Sequence, residues 1–196
     1  MLKLLIATNN QGKVKEIKGI FQGIYEEILS LKEAGIALDV VEDGTTYEEN
    51  AVKKACEASR ISGMDALADD SGLEVYALNG EPGVYSARYL GEDAPQTEKN
   101  EMIIQRLRNV PADKRGARFV CCMALARPGK PALTACGFCE GMIAETQMGE
   151  GGFGYDPIFL LPEYGATFAE IEPDVKNRLS HRYRALCALR EKLSRE

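Results

Sequence analysis

Four short polar clusters carry the residue types that do chemistry on an anionic substrate. Thr8-Asn9-Asn10-Gln11-Gly12-Lys13 follows an apolar run and opens a helical pattern. A helix start gathers backbone N–H groups and the positive end of the helix dipole, which favours an anion. Gly12 permits a tight turn, Lys13 adds a cation, and Thr8 and Asn10 add neutral donors. The run is not the phosphate loop GxxxxGK[ST], and an ordinary capped strand-to-helix turn uses the same residues. Asp69-Asp70-Ser71-Gly72 follows Ala66-Leu67-Ala68. Neighbours on an extended chain alternate faces, so one carboxylate can bind a metal or activate water while the other caps local backbone. Asp, Ser and Gly also form turns.

The third cluster, Gly149 to Asp156, holds four glycines in eight residues. Ordering such a segment costs roughly 1–2 kcal/mol per residue, which close backbone approach to a ligand would explain. Phe153 and Tyr155 offer rings on which a base can stack. A flexible surface loop is the plain alternative. The fourth, Ser180-His181-Arg182, contains the single histidine of the chain. Arg presents fixed donors suited to carbonyl oxygens, and His can donate from one ring nitrogen. A histidine at a helix start is also often only a solvated cap. Together the four describe a nucleotide-hydrolysing site.

These clusters need a scaffold. The chain has 196 residues, enough for one domain with a full core, and 45% of them are hydrophobic. A formal net charge of -6 argues against binding a nucleic-acid polymer, which runs on surplus Lys and Arg. No apolar stretch approaches the roughly 20 residues of a membrane helix, and Leu4-Leu5-Ile6-Ala7 is too short for a signal-peptide core. The expected location is the cytoplasm. The six cysteines are then expected as reduced structural thiols. Cys136-Gly137-Phe138-Cys139 has CxxC spacing, but a zinc site would want a second pair or two histidines.

Apolar spacing predicts a strand over residues 2–7, a helix from Lys13 to Phe21, and a helix starting at the capping-box pair Thr46 and Glu49. A short strand over 65–68 runs into Asp69, with a hairpin partner over 73–78 closing at Asn79-Gly80. A helix over 96–108 follows, then long strands over 116–127 and 132–145 joined at Pro128-Gly129. A last helix after Ser180 buries Leu186, Leu189 and Leu193. Crossovers mixed with hairpins predict an α/β fold with a mixed central sheet flanked by helices.

The sequence closely resembles the inosine triphosphate pyrophosphatase family, the XTP/dITP diphosphatases, over nearly its whole length. Thr8 to Lys13, Glu49-Asn50-Ala51, Ala68 to Leu73, Pro82 to Tyr89, Gly152 to Pro157 and Ser180 to Arg182 carry the resemblance in the family order. It implies an elongated two-lobed single domain over 1–196 with the active-site cleft between lobes, and a homodimer. It implies hydrolysis of deaminated purine nucleotides (ITP, dITP, XTP) to the monophosphate and pyrophosphate, with Mg²⁺, so cleansing the nucleotide pool. Asp70 matches the general base and a metal ligand, and Ser71 touches substrate. Thr8, Asn9, Asn10, Gln11, Gly12 and Lys13 bind phosphate. Phe153, Gly154, Tyr155 and Asp156 line the base pocket, Lys176 binds substrate, and His181 and Arg182 read the purine edge. The family has two acidic residues before the glycine matching Gly44, the first a metal ligand. Here Val41 holds that first position, so either Glu42 serves as the second metal ligand by a small shift or that contact comes from elsewhere.

Two rivals share these residues: a Maf-type pyrophosphatase for modified nucleotides, and a nucleotide-binding sensor without turnover. The Ser180-His181-Arg182 run favours purine over the first; among purines, donors there suit a 6-oxo group and clash with the adenine amino group. A carboxylate placed beside the triphosphate, as Asp70 would be, favours turnover over the second.

Overall fold

Asn10 decides where the first helix begins. In the computed structural model, which describes residues 2–195, its side chain accepts from the Lys13 amide at 3.2 Å. Helix α1 (Gln11–Phe21) therefore starts two residues earlier than the apolar spacing predicts. It places Gln11, Gly12 and Lys13 in its first turn and buries Val14, Ile17 and Phe21. It joins strand β1 (Lys3–Ile6) to β2 (Glu27–Ser30), a short strand with no clear pattern in the sequence. The two pair in parallel.

Helix α2 (Tyr47–Ser62) carries the predicted capping box in full: the Thr46 hydroxyl accepts from the Glu49 amide while Glu49 returns the bond to the Thr46 amide. Its inner face is Ala51, Ala55 and Ala58, packed with Leu5, Ala66, Ala68, Ala124 and Ala126. Such small side chains let the helix sit close to the strands beneath it.

Strand β3 (Asp65–Val75) corrects the expected turn. Asp69, Asp70, Ser71 and Gly72 form the middle of one continuous eleven-residue strand, parallel to β1. The chain leaves the strand at 76–78 in a single 3₁₀ turn, not in a hairpin partner. Buried Leu67, Ala68, Leu73 and Val75 on both sides keep the backbone extended through a run whose composition reads as a turn.

Helix α3 (Gln96–Arg106) precedes the long hairpin β4 (Gly116–Arg127) and β5 (Lys130–Ile143). Two short antiparallel strands follow, β6 (Phe159–Leu161) and β7 (Ala166–Thr167), neither of which is predicted. Helices α4 (Pro173–Leu179) and α5 (His181–Leu193) end the chain. The strand order is β2-β1-β3-β4-β5-β6-β7, the mixed sheet that the sequence predicts. Among the described residues no helix is long and apolar enough to cross a membrane.

The chain divides into two compact units. One comprises residues through Asp70, Cys121–Gly137 and everything from His181 on; its cores gather Leu4, Ile17, Phe21, Leu67, Met123, Leu186 and Leu189 around α1 and α5, and the alanines under α2. The other comprises Ser71–Val120 and Phe138–Ser180; Phe119, Phe159 and Phe168 form its aromatic centre, with ring centroids 4.4 Å (Phe119–Phe159) and 5.0 Å (Phe159–Phe168) apart.

The expectation of six reduced thiols is corrected by a disulfide between Cys122 and Cys136. The β4–β5 hairpin brings their Cα atoms to 4.1 Å. Cys121 faces the core under α5, so Cys122, one residue on, faces the other way, where Cys136 meets it. Cys56, Cys121, Cys139 and Cys187 are free thiols.

Candidate active site

The site residues fall into two groups, one within each unit. In the first, the two carboxylates of β3 have different fates. Asp69 is only 3% exposed; its Oδ2 accepts from Lys13 Nζ at 2.8 Å and lies 3.8 Å from Arg182 Nε. Burial pushes its carboxyl up, but the nearby charges of Lys13, Arg182 and Lys54 outweigh that and hold it well below the usual carboxylate range. Asp70, on the other face of the strand, is partly exposed, and its Oδ2 accepts from Asn50 Nδ2 at 2.9 Å. Alternation along an extended strand thus makes one aspartate a buried counter-ion and leaves the other accessible.

Arg182 and His181 arrive here because α5 rests directly on β5. A Cβ at Gly137 would lie 2.3 Å from the His181 carbonyl and 2.4 Å from the Ala185 nitrogen. Only glycine allows that approach, so Gly137 in the CxxC run lets the helix sit against the strand. Arg182 is buried, with Nη1 3.5 Å from Glu16 and Nε toward Asp69. Its guanidinium is thus turned toward carboxylates of its own unit. His181 is buried beside it.

One member of this group has no clear sequence signal. Lys54 lies one helical turn after Asn50 on α2, and its Nζ donates to Glu42 Oε1 at 2.5 Å. Only the i, i+4 spacing on α2 could have pointed to it. Val41, in the family's acidic position, is 71% exposed, whereas Glu42 is held inward by Lys54. Thr8 donates nothing to the helix: its hydroxyl accepts from the Asn10 amide at 3.2 Å, which keeps Asn9 and Asn10 exposed at the mouth of the turn.

The second group centres on Asp156. Its Oδ2 accepts from Lys176 Nζ at 2.6 Å and from the Phe153 amide at 2.7 Å. The Lys176 ammonium lies 4.8 Å from the centroid of Phe153 and 5.7 Å from that of Phe168, within cation–π range. Phe153 is 51% exposed. Tyr155 is not: it packs in the aromatic core and its hydroxyl donates to the Ser86 carbonyl at 2.8 Å. The expectation of two stacking rings therefore reduces to one, because Tyr155 is spent on packing. The glycines close on protein as well, Gly151 donating to the Ala169 carbonyl at 3.1 Å. Beside Lys176 lies a cavity of about 240 Å³, walled by Gly151, Gly152, Phe168, Ala169 and Asn177. Ser71 follows Asp70 on β3 and is partly buried, and Gly154 stands between the two aromatic residues.

A mixed sheet flanked by helices, with a partly exposed carboxylate at the middle of β3, defines an α/β protein. The Ham1 family pattern matches residues 4–192, and the chain belongs to that family. It is 49% identical to the dITP/XTP pyrophosphatase of Desulforamulus reducens, covering 99% of this chain and 96% of that protein. It is 48% identical to the protein of the same name from Geobacter sulfurreducens, over 98% and 97%. The solved structure of a HAM1 protein from Coxiella burnetii superposes with a TM-score of 0.90 at 38% identity over the full length of both chains. The Staphylococcus aureus Ham1 protein gives 0.89 at 40%, over 98% of each.

Proposed function

We propose that the chain is a nucleoside-triphosphate diphosphatase: it hydrolyses the deaminated purine nucleotides ITP, dITP and XTP to the monophosphate and pyrophosphate. The observation that carries the reading is the division of labour on β3, with Asp69 buried and neutralised while Asp70 stays accessible and held by a buried amide. Relatives with nearly half their residues in common are named for this activity.

Releasing pyrophosphate requires water in line with the α-phosphorus and stabilisation of a polyanion. Asp70 accepts the proton from that water. Lys13, the first turn of α1 and the side chains of Thr8 to Gln11 bind phosphate oxygens, and Ser71, next to Asp70 on the same strand, touches substrate. Lys54 adds a cation the sequence does not announce. Phe153 stacks on the base, Gly154 and Asp156 complete its wall, Tyr155 supports that wall from the core, and Lys176 binds substrate from beneath the ring. His181 and Arg182 donate toward the purine 6-oxo group. Against adenine such donors meet an amino group, a mismatch worth up to about 10⁴ in discrimination.

The residues present suit Mg²⁺. Around β3 three cations (Lys13, Lys54, Arg182) face four carboxylates (Glu16, Glu42, Asp69, Asp70), so the protein alone offers a polyanion no surplus of positive charge. Among the described residues no three acidic, His or Cys side chains gather into a self-sufficient metal cage. Two carboxylates match an ion that keeps waters and phosphate oxygens as its other ligands. Asp70 and Glu42 would hold it, and it would supply the charge that neutralises the phosphates. The resemblance also carries a homodimer working in the cytoplasm, which sedimentation velocity and cell fractionation test.

Product analysis with ITP, XTP, dITP, GTP, ATP and UTP in the presence of MgCl₂ tests the reading. IMP and pyrophosphate are expected from ITP, with little turnover of ATP or UTP. IDP and orthophosphate would mean that the β–γ bond is cut and would overturn the assignment.

A further inference from the structure

We infer that Asn50 is the positioning residue for the Asp70 carboxylate. The inference rests on Asp70 being the group that takes the proton from water. Asn50 is wholly buried on the inner side of α2. Its Nδ2 donates to Asp70 Oδ2 at 2.9 Å and its Oδ1 accepts from the Gly44 amide at 2.8 Å. The two ends of the amide are thereby told apart: a flip would set an NH₂ against the Gly44 N–H and a carbonyl against the carboxylate. The Gly44 bond fixes which way the amide faces, and so which end meets Asp70.

The surroundings are built for that bond. A Cβ at Gly44 would lie 2.6 Å from Asn50 Oδ1 and 2.9 Å from Glu49 Cβ, so only glycine lets its amide come close enough to donate. Asparagine is a poor helix former, and it stands here beside Ala51 on a helix whose buried face is otherwise rich in alanine. A locally unfavourable residue in a well-packed helix marks a site with another purpose. The Asp70 carboxylate turns about a soft terminal torsion, and Asn50 stops that rotation. A general base works only if its oxygen stays within hydrogen-bond reach of the water, and a misplacement of about 1 Å can cost 10²-fold. Asn50 is wholly buried and its amide is spent on Asp70 and Gly44, so its loss falls on kcat and spares KM.

The test is a double-mutant cycle on the full chain with ITP and MgCl₂. Asn50→Ala is expected to lower kcat about 10–100-fold, with KM for ITP and the calorimetric affinity for IMP within about twofold of wild type. Asn50→Leu, which fills the vacated volume, is expected to do the same and serves if the alanine variant folds poorly. In an Asp70→Asn background neither change should lower kcat further, because the group it aims is gone. A purely structural role would multiply the losses or move IMP affinity, and either result overturns the inference. So does a wild-type kcat in both Asn50 variants. If Asp70→Asn alone keeps wild-type kcat, the reading of Asp70 fails first and the inference falls with it, an outcome distinct from multiplied losses.

Discussion

Two buried lysine–carboxylate pairs sit in the two units, and they are built alike but surrounded differently. Lys13–Asp69 and Lys176–Asp156 have N–O distances of 2.8 and 2.6 Å, with carboxylates that are almost wholly buried. Around Asp69 the neighbours are more charges: Arg182, and Lys54 close enough to act on it. Around Asp156 they are a backbone amide and two phenyl rings. Removing charges from water is costly, and a buried pair is weak evidence for stability. What differs is what each pair can receive. The first lies in a network that a polyanion and a metal can rearrange. The second is electrically closed, with an exposed ring on top, and suits an uncharged planar group.

The largest expected effects come from splitting the neighbours on β3. Asp70→Asn should lower kcat by at least about 10²–10⁴, the scale of losing a general base, with an unchanged melting temperature. Asp69→Asn should do the reverse in kind. It leaves the partly buried Lys13 and the buried Arg182 without their shared counter-ion, at a cost of about 3–5 kcal/mol in stability, measured by denaturant unfolding. If Asp69→Asn is the more damaging to kcat in folded protein, the assignment of the two carboxylates is reversed. The Asp69 contribution also has a sign in pH. Its folded value lies below the ordinary one, so its stabilisation is present above the unfolded carboxylate range and is lost as pH falls below it.

In the second unit the effects should be smaller and fall on binding. Phe153→Ala removes the exposed ring and should raise KM by about 5–150-fold, the equivalent of about 1–3 kcal/mol per stacked base. Tyr155→Phe deletes one buried hydrogen bond and should lower stability by about 1 kcal/mol without changing KM. Lys176→Ala should weaken ITP and ATP alike. Arg182→Ala sharpens the comparison from the other side. If Arg182 reads the purine edge, its loss narrows the ITP-over-ATP ratio in kcat/KM by about 1–3 kcal/mol. If its ties to Asp69 and Glu16 are its whole role, activity falls uniformly and the ratio holds.

Much of this was legible in the residues, for physical reasons that also explain the gaps. Helix α2 announces itself through Thr46, Glu49 and the alanine stripe, because a capping box and a 3.6-residue period are local signals. The different fates of Asp69 and Asp70 follow from strand alternation. The continuity of β3 does not, since Asp-Asp-Ser-Gly has the composition of a turn and only burial on both sides keeps it extended. Strands β2, β6 and β7, with two to four residues each, are too short to carry a period. Lys54, Asn50 and the Cys122–Cys136 bond depend on which elements pack together. Tyr155 could be told from Phe153 only once one ring was seen in the core.

The smallest expected effect lies at the surface and marks the lower end of the scale set by Asp69. Glu33 accepts from the Ser30 amide and hydroxyl and from Lys18 Nζ. The Ser30 backbone bond contributes most, and together these bonds hold its carboxyl at about 2 against an ordinary 4.5. With about half of its side chain exposed, it should matter little to stability. The folded value is the depressed one, so whatever stability it lends is complete above 4.5 and fades as pH falls toward 2. Glu33→Gln should therefore lower the melting temperature near neutral pH by no more than about 2 °C. The gap between variant and wild type should close over the acid range, where the native carboxyl is protonated too. Activity should not change. A gap that persists at pH 2 would mean that the loss comes from packing or hydrogen-bond geometry and not from the charge. A drop as large as that of Asp69→Asn would mean that burial is not what separates the two carboxylates.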